Sequence, residues 1–181
     1  MLINIVLGLA ILVVVLVVII AARPSDFRCA RSGAISASRE VVFEQVNDLH
    51  KWEAWSPWAK LDPKAKSTYT GPAAGVGAAF SWSGNNRVGE GKMTITESRS
   101  GELVRFRLEF LRPMKATNIA EFTFQSDRGQ TNVTWTMTGK NNFVGKAFGL
   151  VVNCDKMIGG QFEKGLADMK IAAEAAARAR V

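Results

Sequence analysis

Residues Leu2 to Ala22 carry no formal charge, and Asn4 is the single strongly polar side chain among them. At about 1.5 Å rise per residue, such a run makes roughly 31 Å of helix, close to the thickness of a bilayer's hydrocarbon core. Nothing polar interrupts Ile11 to Ile20, so a buried core helix would need apolar partners on every side. A cleaved secretory signal fits less well: no basic n-region precedes the run, it is longer than an ordinary h-region, and Ile20-Ala21-Ala22 is a poor cleavage site. The sequence therefore predicts a transmembrane anchor over residues 1–22 and a linker over 23–26. Arg23, Arg28, Arg31 and Arg39 follow the run and nothing basic but the α-amino group precedes it, which by the positive-inside rule predicts a domain on the cytoplasmic side, with the periplasmic side as the alternative. Cys29 and Cys154 are too far apart for CxxC redox or zinc spacing; they are either free thiols, in keeping with the cytoplasm, or one long-range disulfide.

The remaining 159 residues of the 181 suffice for one domain and are too few for two comfortable ones. Hydrophobic residues at 48% and charged residues at 22% exclude a disordered or fibrous chain. Phe27 to Ala37 reads as a strand, and Ser38 as the cap of a short helix whose Val42, Phe43 and Val46 share one face. Trp52-Glu53-Ala54-Trp55-Ser56-Pro57-Trp58 is then broken by its proline. From Lys66 to Gly139 the apolar period is two: Val104, Phe106, Leu108 and Phe110 alternate with Leu103, Arg105, Arg107 and Glu109, Ala120, Phe122 and Phe124 with Glu121 and Thr123, and Val133, Trp135 and Met137 with Thr134, Thr136 and Thr138. Turn signals around Gly84, Gly101 and Gly129 separate these runs, which makes an antiparallel meander. Past Asn142 the helical period returns, with Met157, Ile158, Phe162, Leu166 and Met169 on one face, and the alanine-rich stretch from Ile171 to Val181 is expected to carry that helix into solvent.

In this order the elements resemble the helix-grip fold of the START-like, Bet v 1-like superfamily, and within it the bacterial polyketide cyclase/dehydrase branch of SRPBCC proteins. The likeness is carried by Ala37-x-x-Glu40-Val41-Val42-Phe43-x-x-Val46-x-Asp48, Trp52-x-x-Trp55-Ser56-Pro57-Trp58, Asp62-Pro63, Gly75-Val76-Gly77, Trp82-Ser83-Gly84-Asn85, Gly89-x-Gly91-x-Met93-x-Ile95 and Met157-Ile158-Gly159-x-x-Phe162-Glu163-x-Gly165-Leu166. It spans about Phe27 to Lys170. It implies an α+β fold over residues 27–181, a curved antiparallel sheet wrapped on a long terminal helix, and residence in a bacterial inner membrane through the anchor. Function varies widely on one fold, so activity is not implied by the fold itself.

The candidate sites narrow by elimination. His50 is the single histidine and sits beside Lys51; it reads as a surface or packing residue rather than a catalytic base, and with two distant cysteines it cannot supply three convergent metal ligands. Gly71 to Gly77 lacks the Lys-Ser/Thr of a phosphate loop and continues as strand, so it reads as a turn and bulge. The formal charge of +7 is spread with Glu109 among Arg105, Arg107 and Arg112, as on a solvated sheet face rather than a nucleic-acid interface; near a bilayer it would favour anionic headgroups. Trp52, Trp55 and Trp58 form a plug at one end of the sheet or the mouth of a pocket. No cofactor is expected. The leading expectation is a membrane-anchored module that takes a hydrophobic, lipid-like or polycyclic molecule between sheet and terminal helix, lined by Trp55, Trp58, Trp82, Phe106, Phe122, Trp135, Phe162 and Met169. The alternatives are a polyketide cyclase/aromatase-type enzyme and a partner-binding scaffold with a filled interior. For the enzyme, Tyr69, Ser81, Glu90, Glu97 and Glu121 face inward only if the strand phase is shifted.

Overall fold

The computed structural model describes residues 2–151 and 153–180. Helix α1 (Leu2–Ala22) is the one described helix long and apolar enough to cross a membrane, and nearly all of it stands clear of the rest of the chain. Strand β1 (Asp26–Ile35) follows, then α2 (Arg39–Asn47), a 3-10 turn (Leu49–Lys51) and α3 (Trp52–Trp55). Six strands come next: β2 (Lys66–Thr70), β3 (Ala79–Ser83), β4 (Glu90–Arg99), β5 (Leu103–Arg112), β6 (Ala116–Asp127) and β7 (Gln130–Lys140). Helices α4 (Phe143–Val151) and α5 (Cys154–Arg178) close the chain.

The strands form one antiparallel sheet in the order β1-β7-β6-β5-β4-β3-β2. Because β1 joins the far side of β7, the consecutive hairpins β2 to β7 wrap round until the first and last strands meet, and α2, α3 and α5 lie in the resulting concavity. The expected α+β helix-grip architecture is therefore present. Local chemistry explains the entry of the chain into it. Ser38 is extended and its hydroxyl accepts from the Val41 N–H, capping α2 as the sequence predicts. Ser56, ahead of Pro57, is also extended and ends α3.

Alternation fixes the sheet's faces. The outer face carries Arg105 with Glu97 and Glu121, Arg107 with Glu109, and Arg112 with Glu90; these are a solvated set of ion pairs. The inner face is mostly apolar, and its register runs in rows across the strands. One row joins Phe124 and Val133; the next Val104, Phe122, Trp135 and Arg31; the next Ile95, Phe106, Ala120, Met137 and Cys29; and a fourth Tyr69, Phe80, Met93, Leu108, Asn118, Gly139 and Phe27.

Four expectations need correction. β1 stops at Ile35 instead of reaching Ala37, since Ser36 and Ala37 already bend towards the α2 cap. Residues after Asn142 form two helices, α4 being a separate apolar one. Met157 is exposed, because the buried face of α5 runs through Gly159, Phe162, Gly165, Leu166, Met169 and Ala173, one position out of phase with it. The C-terminal stretch does not run into solvent: Ala173 is fully buried, the Ser36 N–H donates to Glu174, and Arg180 pairs with Glu44 of α2.

Candidate ligand-binding groove

The sheet, α3 and α5 bring the expected lining residues together, but into two environments. Trp55, Phe106, Phe122, Trp135, Phe162 and Met169 are fully buried in one packed cluster, whereas Trp58 and Trp82 are half-buried at its margin. The centre of the cluster is a stack. The Phe162 ring lies 4.0 Å from that of Trp135, nearly parallel, and Trp135 lies 4.7 Å from Phe122. Trp55 and Trp58 meet Trp135 edge-on at 5.8 Å. Such offset and edge-to-face contacts satisfy the ring quadrupoles and leave no gap between sheet and helix. Trp52 and Trp55 are tied into place by their indole N–H groups, which donate to the Val46 and Gln45 carbonyls at 2.9 Å each. Trp52 and Trp55 are packed in as a plug, and Trp58 is half-buried beside them.

Burial falls off along the sheet. The rows through Phe122 and Phe106 are buried, apart from the half-buried Arg31, but in the row through Leu108 the residues Phe80, Leu108 and Phe27 are half-buried, as are Trp82 and Phe110 one row further out. The concave face thus has a filled half, under α3 and the middle of α5, and an open half towards the end of the sheet where β1 begins and β7 ends. Asn118 sits in the middle of that open half. It is 8% exposed, and none of the described hydrogen bonds engages its carboxamide, whose polar atoms stay within reach of solvent. Gly139 beside it leaves the space the carboxamide occupies, since a Cβ there would collide with both Asn118 and Phe27. A second unpartnered donor, the Trp135 indole N–H, is buried in the filled half. The Trp135 N–H, buried without a partner, carries a cost of about 1–3 kcal/mol; the Asn118 carboxamide carries no such burial cost and is free to bond a bound molecule or water.

Arg31 is the inward ionisable group of the filled half. It reaches across to the start of α5, where its Nε donates to Glu163 at 2.7 Å and its Nη2 to Asp155 at 3.0 Å. The guanidinium passes beneath Gly159, whose missing side chain makes the room. These bonds push the Arg31 pKa up and hold the Asp155 carboxyl below its usual range. Cys29 is a free buried thiol with its Sγ 3.9 Å from the Asp155 carbonyl; the side chain of Cys154 lies outside the described residues.

Two surface depressions lie away from the groove. One, of about 250 Å³, is formed by Ser36, Glu174, Ala177 and Arg178. The other, of about 290 Å³, lies between the 3-10 turn and the β2–β3 loop, where His50 stacks on Tyr69 at 4.1 Å and its Nδ1 is 3.3 Å from Asp48. His50 is exposed, as the sequence predicts, and the Tyr69 hydroxyl is pushed up in pKa chiefly by burial. Of the enzyme candidates, Ser81, Glu90, Glu97 and Glu121 keep the outward phase, and Tyr69 alone lies in an inward row. Sequence reasoning missed Asn118 and Arg31. Both follow from the period of two, carried back from Ala120 and on from Cys29, but each strand's apolar pattern draws attention away from its polar member.

An open antiparallel sheet gripping a long C-terminal helix, with its concave face apolar, defines the class: a helix-grip α+β domain of the Bet v 1-like type. Residues 27–174 match the family described as polyketide cyclase / dehydrase and lipid transport, and the chain belongs to it. Solved structures agree on the fold. A Staphylococcus aureus protein of unknown function matches with a TM-score of 0.63 at 11% identity, over 86% of this chain and 98% of that one. The Chromobacterium violaceum protein CV1439 matches with a TM-score of 0.59 at 15% identity, over 84% and 99% of the two chains. Ara h 8.0201 matches with a TM-score of 0.55 at 8% identity, over 83% and 99%. No curated protein matches the sequence.

Proposed function

We propose that this chain is a membrane-tethered receptor for a hydrophobic molecule that carries at least one polar group, held in the open half of the grip. The observation that carries this reading is the gradient of burial on the concave face, with unpartnered Asn118 set among the half-buried Phe27, Phe80, Trp82 and Leu108. Burying apolar ligand surface there gains about 25 cal/mol per Å², and a polar group on Asn118 fixes its orientation. Trp58 and Trp82 line the mouth; Trp55, Phe106, Phe122, Trp135, Phe162 and Met169 form the floor, where a larger ligand gains contact only by displacing the Trp135–Phe162 stack. A family that includes lipid transport supports a lipid-like occupant. Helix α1 is the tether, and the arginines after it favour the cytoplasmic face of a bacterial inner membrane.

The test uses the full chain in nanodiscs titrated with cis-parinaric acid, read by energy transfer from tryptophan. Saturable transfer is expected, and Leu108→Glu, which places a carboxylate in the groove, is expected to weaken it by about tenfold or more. Equal, unsaturable transfer for both proteins would show partition into the lipid alone and sink the receptor. A second reading would then stand, a scaffold domain with a filled interior, and the 4.0 Å Trp135–Phe162 stack favours it.

A further inference from the structure

The exposed apolar side chains of the domain are concentrated at one end. Phe143, Val144, Phe148 and Leu150 of α4 are 40–56% exposed, and Leu111 and Met114 beside the β5–β6 loop are nearly half exposed. The strand register puts that loop, the start of β1 and the end of β7 at the same end of the sheet, which is also where the groove is open. Water gains nothing from such a patch, and apolar clusters of this kind mark a surface that is covered in use.

The position of α1 identifies the cover. Its last turn rests on α4: Ile20 is 6% exposed while the rest of the described helix stands free, and the Lys146 ammonium donates to the Ala21 carbonyl at 3.2 Å. That bond satisfies one of the carbonyls a helix leaves open at its C-terminus. Ile20 is also the third residue before Arg23, the first charge after the apolar run. If α1 crosses a bilayer, Ile20 sits at its edge, and whatever packs on Ile20 lies at the boundary between headgroups and acyl chains. The surrounding charge agrees: Arg23, Lys115, Lys140 and Lys156 are exposed, and no described ion pair engages them, unlike the arginines of the outer sheet face.

We propose that α4 is an interfacial membrane helix. It lies along the surface of the bilayer that α1 spans, with Phe143, Val144 and Phe148 among the upper acyl chains, so that the open half of the groove faces anionic lipid. This inference rests on the tether reading and adds a second, surface-parallel contact to it. Interfacial helices of this kind sink about 5–10 Å into the headgroup and acyl boundary. With both contacts in place the domain cannot swivel about the linker, and an apolar ligand would pass between membrane and groove without crossing water.

The experiment reconstitutes two full-length variants, Phe148→Trp and Ile171→Trp, in vesicles of phosphatidylcholine and phosphatidylglycerol containing lipids brominated near the headgroup end of one acyl chain. Ile171 is apolar surface on α5 at least as exposed as Phe148, and both variants share the same native tryptophan background. Flotation is read first: a chain that fails to float with the vesicles after alkaline extraction defeats the tether, and with it this inference. In chains that float, the bromolipid is expected to quench the emission component that Phe148→Trp adds and to spare the component that Ile171→Trp adds. Replacing phosphatidylglycerol by phosphatidylcholine is expected to lessen the quenching. Floating chains in which the two variants are quenched alike overturn the interfacial helix while leaving the tether intact. An unquenched but blue-shifted Phe148→Trp emission overturns it too, by showing that protein covers the patch.

Discussion

Cys29 shows how far one residue's surroundings reset its chemistry. The thiol is 2% exposed beneath the start of α5, and burial, with the neighbouring Asp155 next, pushes its pKa up to about 11. The thiolate is the reactive form, so alkylation at neutral pH is expected to spare Cys29 in the native protein and to modify it in denaturant, which peptide mass spectrometry reads directly. Because the folded pKa lies above the unfolded one, the group's contribution to stability is complete below the ordinary thiol pKa of about 8.5 and is lost as pH rises towards 11. A denaturant midpoint that falls across that alkaline window in the native sequence, but less in Cys29→Ala, is the expected result. Asp155 acts in the opposite direction: its pKa is held down mainly by the bond from Arg31, so its contribution is present above the usual carboxylate range and is lost on acidification through its folded pKa.

At the scale of the element, α5 approaches the sheet closely because of its glycines. A Cβ on Gly165 would lie 2.8 Å from Trp135 Cζ3 and 3.1 Å from Pro57 Cδ, both parts of rigid groups, whereas Gly160 faces open space on the same helix. Alanine in an exposed helical position gains about 0.5–1 kcal/mol over glycine, while overpacking a filled core costs about 1–3 kcal/mol. Gly160→Ala is therefore expected to raise, and Gly165→Ala to lower, the stability measured by urea unfolding; equal gains at both sites would show that α5 can move away from the sheet freely. Among the described residues, helix α4 packs chiefly on α1, and its Phe143, Val144, Phe148 and Leu150 are turned outwards.

At the scale of the whole molecule, the interior is divided into a filled half and an open one, and Trp135 holds the division. It stacks on Phe122 and Phe162 and meets Trp52, Trp55 and Trp58 edge-on. Trp135→Ala is expected to cost about 3–5 kcal/mol in denaturant unfolding; a loss under about 1 kcal/mol would mean the grip can collapse around the vacancy. Much of this architecture was legible beforehand. Alternation over Val104 to Phe110 and over Val133 to Met137 dictated which side chains turn inward, the Ser38 cap and Pro57 break dictated where α2 begins and α3 ends, and the uncharged run before Arg23 dictated α1. Those features depend on neighbours within a few residues, which periodicity and turn chemistry report. The sequence could not say whether so many large inward side chains enclose a hollow or fill it, because volume depends on how closely α5 approaches the sheet, and that distance is decided between Gly165 and Trp135. Nor could it place α4 against the end of α1 or leave Asn118 without a partner. Such facts arise from residues far apart in the chain meeting in space, where only the folded sheet determines which of them touch.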